Sequence, residues 1–152
     1  MPLRLFCEHG VFTCAYNSLY LFSMLSCAGW GRTIGGGAAA STLQQAELPV
    51  VEHSKCARTN GRLAPVDETT MVCAGSGIAG QAGGCQGDSG GPFVCEENGN
   101  WVLRGAVSWG NGMCTTDYFT VFARVSNFID WINQKMSGSG GSGGSGGGSG
   151  KS

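Results

Sequence analysis

Apolar and polar positions alternate along several stretches of this chain. From Ser41 to Val51 the side chains of Ala46, Leu48 and Val50 fall on one face, the period of two that marks a half-buried strand. Trp101 to Trp109 and Tyr118 to Val125 alternate in the same way and are rich in aromatic and β-branched residues, so both are predicted strands. After Val125 the period changes. Val125, Ile129, Ile132 and Met136 stand at i, i+4, i+7 and i+11, one stripe of a helix. Ser126 is its predicted N-cap, and the stripe is expected to pack down on the strands, with Trp131 and Ile132 in the core. Gly35 to Ala40 (GGGAAA) reads as a surface loop. Cys56 and Cys73 bracket a polar loop with Asn60-Gly61 as its turn signal.

Both ends depart from this pattern. Residues 137–152 are dominated by glycine and serine; such a tail buries no apolar area and is expected to be disordered. Its ending, Gly150-Lys151-Ser152, fails the phosphate-loop spacing, because Ser145 stands where a glycine is required. Residues 1–26 have a basic start at Arg4 and an apolar run from Leu19 to Leu25, too short to span a membrane. One reading is a signal peptide with a small-residue site at Ser26-Cys27-Ala28. The preferred reading is a truncated or misjoined gene product, since the Leu/Phe/Ser/Tyr bias is what translated pyrimidine-rich sequence would produce.

Composition narrows the function classes. The 152 residues carry a formal net charge of −1, and the nine Lys and Arg are scattered, so no nucleic-acid or anionic-membrane partner is expected. Eight cysteines fit a disulfide framework made in a secretory compartment, hence a secreted protein. Zinc would need ligand pairs that are missing: there is no CxxC, and only two histidines. No metal or cofactor is expected.

Cys85 to Pro92, CQGDSGGP, carries the candidate chemistry. Its glycines allow backbone geometry that other residues reach only with strain, so Ser89 can hold its hydroxyl outward and aim its own N–H at an incoming carbonyl. For a bare GxSxG, a Gly-rich surface turn is the alternative. Further motifs follow in order: CAGWGRT at Cys27 to Thr33, MVCAG at Met71 to Gly75, SWG at Ser108 to Gly110, and FIDWI at Phe128 to Ile132. Together with CQGDSGGP they resemble the chymotrypsin-like (trypsin-like) serine peptidases over roughly residues 29–136, the C-terminal half of that family's domain. The resemblance implies an all-β fold: the C-terminal six-stranded antiparallel barrel of the double barrel, with a C-terminal helix. It divides the chain into an atypical segment, residues 1–26; a partial peptidase domain, residues 27–136; and the tail, residues 137–152.

The same resemblance implies roles. Ser89 would be the nucleophile, and the N–H groups of Gly87 and Ser89 the oxyanion hole. Asp88 would pair with a new amino terminus released by activation cleavage. Ser108, Trp109 and Gly110 would present an edge to the substrate backbone. Gly83 would form the base of the side-chain pocket, Gly110 its open mouth and Thr120 a narrowed wall, so a medium or large apolar side chain is expected there. The implied disulfides are Cys56–Cys73, Cys85–Cys114 and Cys27–Cys95. Cys7 and Cys14 are left over, either to pair with each other or as an accident of the odd amino terminus. Cys27 is followed by Ala28 alone before the GWG motif, where the family has a few residues.

The implied activity is peptide hydrolysis by a serine-type endopeptidase acting on peptide or protein substrates. A serine hydroxyl is a weak nucleophile until a neighbour takes its proton. No TAAHC-like histidine loop, buried aspartate or IVGG-type segment occurs here. His9 has no such context, and His53, just before Cys56, reads as a solvated loop histidine. The chain is therefore expected to be inactive alone and to need a missing first barrel. The alternatives are a non-catalytic binding module derived from a peptidase, or a domain tethered by its Gly/Ser tail.

Overall fold

The structure, a computed structural model, describes residues 24–97 and 99–138. The readings of the amino-terminal segment before Met24, of the Cys7–Cys14 pair, of His9 and of the Gly/Ser tail lie outside the described residues.

Six strands form a closed antiparallel barrel: β1 (Met24–Gly29), β2 (Gln44–Val51), β3 (Met71–Ala74), β4 (Pro92–Glu97), β5 (Asn100–Trp109) and β6 (Thr120–Arg124), in the order β1-β2-β3-β6-β5-β4. Closure leaves no edge strand within the barrel. A helix α1 (His53–Asn60) lies between β2 and β3, and a 3-10 turn (Val125–Phe128) leads into helix α2 (Ile129–Gly138). The expected fold, the six-stranded antiparallel barrel with a C-terminal helix, is the one found.

The barrel interior is filled by alternating inward residues: Leu25 and Cys27 from β1, Leu48 from β2, Phe93 and Cys95 from β4, Val107 from β5 and Phe122 from β6. Phe93 and Phe122 stack at its centre with ring centroids 4.1 Å apart. Gly105 makes room for that pair, since a Cβ there would meet the Phe122 Cβ at 3.0 Å. Strand β5 carries two irregularities. Phe93 pairs with Gly105 but Val94 with Leu103, and Val107 pairs with Phe122 but Trp109 with Val121. Arg104 and Ser108 are thus extra residues, and each bulge changes which face the following residues occupy. That is why Leu103 and Trp101 point outward, each 47% exposed, while Gly105 and Val107 are buried.

Four sequence expectations need correction. First, residues 24–26, assigned to the atypical segment, belong to β1, and Leu25 is buried at 4% exposure. The small-residue site at Ser26 to Ala28 also lies inside that strand.

Second, the segment after Cys56 is helical rather than a loop through its first part, and His53 opens α1 instead of lying in a loop. The Glu52 carboxylate accepts from the Ser54 and Lys55 N–H groups, satisfying donors that a helix start leaves open. The Asn60-Gly61 turn ends the helix, with the Gly61 N–H on the Ala57 carbonyl.

Third, the stripe on α2 does not form core. Ile129, Trp131 and Met136 are 45%, 57% and 67% exposed, and α2 buries none of its residues. Ser126 lies within the 3-10 turn and hydrogen-bonds Asn127 Oδ1 rather than capping α2. A helical stripe marks an apolar face without saying what covers it: here Ile132 is half-buried while Ile129 and Met136 stay exposed.

Fourth, Cys27 and Cys95 are both buried thiols, not a disulfide. Cys27 stands opposite Phe93 in the β1–β4 register, so Cys95 is its diagonal neighbour, two residues on. Diagonal Cβ atoms lie up to about 7–8 Å apart, while a bridge needs about 3.5–4.5 Å. Continuing the register by one residue puts Leu25 opposite Cys95. Leu25→Cys is therefore expected to bridge to Cys95, detected by mass spectrometry as the loss of two alkylatable thiols; persistence of both under oxidising conditions would contradict the register.

Burial, with the nearby Asp88 carboxylate adding to it, pushes the Cys27 thiol from 9.0 up to about 11. Near pH 8 native Cys27 is expected to react with iodoacetamide at least about tenfold more slowly than in the urea-unfolded chain. Below the ordinary thiol value the group is protonated in both states and stability is unaffected. As pH rises from about 9 toward about 11 only the unfolded chain sheds the proton, so stability falls. Urea midpoints across that range check it.

Candidate active site

The Cys85–Gly91 turn is fixed at its Gly90–Gly91 end by the barrel. The Gly90 N–H donates to the Val107 carbonyl at 2.8 Å, and the Val107 N–H donates back to the Gly91 carbonyl at 3.0 Å, extending the sheet pairing just before the Ser108 bulge. Inside the turn, the Asp88 N–H bonds the Cys85 carbonyl and the Gly91 N–H bonds the Asp88 carbonyl, at 3.1 and 2.8 Å. The Asp88 carboxylate then ties two segments together: Oδ1 accepts from the Gly31 N–H at 2.8 Å, and Oδ2 from the Cys85 N–H at 3.0 Å. Among the described residues no cation forms an ion pair with Asp88.

The peptide between Gln86 and Gly87 has a defined direction. Its carbonyl accepts from the Arg32 N–H at 2.9 Å. In a trans peptide the C=O and N–H point opposite ways, so the Gly87 N–H faces away from Arg32. Gly87 holds a φ of 98°, open to glycine and strained for other residues. Among the described residues neither the Gly87 nor the Ser89 N–H donates to a protein acceptor, and Ser89 is exposed. No described side chain accepts a hydrogen bond from the Ser89 hydroxyl. Two N–H donors flank Asp88 next to an exposed hydroxyl, an arrangement suited to stabilising negative charge on a carbonyl oxygen under attack.

The other residues singled out from sequence lie on β5, β6 and the segments next to them. The bulge turns Ser108 outward at the end of β5, where it is exposed. Trp109 is half-buried against a second small core of Cys56, Cys73, Phe119 and Val121. A Cβ on Gly110 would meet nothing closer than the Phe119 carbonyl at 3.7 Å. Thr120 is 6% exposed, and its Oγ1 accepts the Gly84 N–H at 2.8 Å. Gly83 and Gly84 lie so close to their neighbours that added Cβ atoms would come within 2.8 Å of Thr116 Cγ2 and Thr120 Cγ2 respectively.

The Cys85–Cys114 disulfide ties the turn to residues 111–114, where Cys114 holds a φ of 56°. The Gln86 side chain spans the same join and donates to the Gly112 carbonyl. The Cys56–Cys73 disulfide anchors α1 to β3. A cleft of about 210 Å³ borders Asp88, Gly31, Gly83, Cys85, Cys114 and Thr116; Ser108, Trp109, Gly110 and Thr120 lie outside its lining.

His53 is half-buried at the start of α1 and makes no hydrogen bond to Ser89. Sequence reasoning missed Gly31, Arg32, Gln86 and Thr116. The first two lay in the quoted CAGWGRT motif, but nothing in their spacing pointed to Asp88 or Gln86, more than fifty residues on.

The family model for Trypsin matches residues 13–132. The chain belongs to the trypsin family of serine peptidases. The match begins upstream of Met24. Chymotrypsin-C of Bos taurus is 49% identical over 111 residues, covering 71% of this chain and 40% of that protein. The chain thus spans about 40% of that relative's length, and the family's C-terminal barrel is the part described.

The close approach at Gly84 yields a direct check. Gly84→Ala is expected to destabilise this trypsin-family barrel by about 1–3 kcal/mol through overpacking against Thr120, measured by urea unfolding. A variant as stable as the parent would show that this contact is loose.

Proposed function

We propose that this chain is the nucleophile half of a serine endopeptidase. Ser89 attacks the substrate carbonyl, the Gly87 and Ser89 N–H groups receive the oxyanion, and Ser108 to Gly110 take the substrate backbone. The observation that carries this reading is the pair of open N–H donors beside the exposed Ser89 hydroxyl. Losing one such donor typically costs about 10²–10³ in rate. The side-chain pocket takes an apolar group. Gly83 brings no charge to it, and buried Thr120, held on Gly84, limits its depth to a medium side chain such as leucine.

Hydrolysis needs a base, and no described residue reaches the Ser89 hydroxyl to serve as one. A histidine from outside the described residues, carried on a first barrel, supplies it. The exposed stripe of α2, with Ile129 and Met136, supports a further layer of protein there. The cleft beside Asp88 supports a cationic partner such as an amino terminus for that carboxylate. The two disulfides support an oxidising, extracellular setting.

Fluorophosphonate labelling tests the reading. The pure chain is expected to label no more than Ser89→Ala. Co-folding with a histidine-bearing first barrel of a trypsin-family peptidase is expected to produce labelling that Ser89→Ala abolishes. Peptide hydrolysis by the chain alone, lost in Ser89→Ala, would overturn the need for an outside base. Peptide binding without labelling in either form would support a non-catalytic binding module instead, a reading favoured by the absence of any described base.

A further inference from the structure

Among the described residues the only buried polar side chains are Asn60, at 0% exposure, and Thr120 at 6%, and they are linked. Asn60 Nδ2 donates to the Phe119 carbonyl at 2.8 Å, and Asn60 Oδ1 accepts the Phe119 N–H at 3.0 Å. A side-chain amide thus acts as a strand neighbour for the residue just before β6, from 59 positions away in sequence. An apolar residue could fill the same space, but it would strand both backbone polar groups of Phe119 in the interior.

The linkage continues into the site. Phe119 is followed by Thr120, whose Oγ1 holds the Gly84 N–H at 2.8 Å. Gly84 is followed by Cys85, whose N–H is on the Asp88 carboxylate. Asn60 is the last residue of α1, which is anchored by the Cys56–Cys73 bridge. The same helix places the Lys55 ammonium 5.6 Å from the centre of the Phe119 ring. Residue 119 is therefore gripped by its peptide and its ring from one anchored helix.

We propose that Asn60 is a positioning residue that sets the depth of the side-chain pocket, by clamping the Phe119 peptide so that Thr120 stays across Gly84. The assignment rests on the pocket reading above. Replacing Asn60 with aspartate keeps the acceptor for the Phe119 N–H and removes the donor to its carbonyl; alanine removes both.

The test uses the full chain labelled with ¹⁵N, with amide exchange read at Gly84. In Asn60→Asp and Asn60→Ala, Gly84 exchange is expected to rise by about tenfold or more, while Val94 and Cys95 in β4 change by less than about twofold. An unchanged Gly84 rate overturns the proposal. Thr120→Val removes the acceptor, so in that background Asn60→Ala is expected to leave Gly84 exchange within about twofold. A further rise as large as in the single variant means that Asn60 acts through overall stability, which also overturns it.

Pocket depth is read by titrating N-acetyl-leucinamide and N-acetyl-phenylalaninamide and following the Gly83 and Gly84 amide shifts. The parent is expected to favour the leucine amide, and Asn60→Asp to reduce that preference by about threefold or more. An unchanged ratio overturns the depth assignment. Binding of neither amide by the parent overturns the pocket reading and the depth assignment with it. The exchange cycle needs no ligand, so it separates that failure from failure of the Asn60 linkage.

Discussion

The Asp88 carboxylate accepts two backbone N–H groups from segments far apart in the chain, Gly31 and Cys85. Hydrogen bonds to an ionised acceptor are stronger than neutral ones, and here they act as a clasp. With Asp88 held, the turn around it has little freedom. The Arg32 N–H takes the Gln86 carbonyl, and the following peptide turns its N–H away from it. The outward donor at Gly87 is a consequence of where Asp88 is tied. The clasp joins the GWGR segment after β1 to the turn before β4, and those two strands are themselves paired, so barrel and site are built from the same chain neighbours.

The barrel matters to the site chiefly through rigidity. A stacked ring pair fills its centre, with a glycine on β5 cleared to admit it. The two bulges on that strand have different effects. The one at Arg104 changes which residues line the interior; the one at Ser108 turns the strand's end outward beside the Ser89 turn. Loops that carry chemistry need such a scaffold, because positions held only by other loops drift. The Cys85–Cys114 bridge and the Gln86 contact to Gly112 add a second attachment on the side away from the barrel.

Two surfaces of this trypsin-family barrel are incomplete by the standards of a stable interior. The apolar stripe of α2 holds an isoleucine and a methionine, Ile129 and Met136, in contact with solvent. The cleft beside Asp88 leaves a carboxylate without a cation among the described residues. An exposed apolar face and a carboxylate lacking a counter-charge are both features that association relieves. They lie on a chain that covers 40% of a relative's length.

The chain's own residues determined the family and the barrel, because CQGDSGGP and the motifs around it are contiguous and alternation is a local signal. The Ser89 turn was legible for the same reason: its residues are neighbours in sequence. Helix α1 was hidden, since its cap is a glutamate and its first turns are polar, so only the Glu52 contacts and the Cys56 anchor reveal it. The Cys27–Cys95 pairing failed because opposition across strands depends on register, and a shift of two residues puts leucine where the bridge would form. The α2 stripe announced an apolar face but not its partner. Tertiary structure alone brought Asn60 to Phe119, Thr120 to Gly84 and Gly31 to Asp88. Hydrogen bonds between residues tens of positions apart leave no periodicity to read; they exist only once the barrel has closed and brought its loops together.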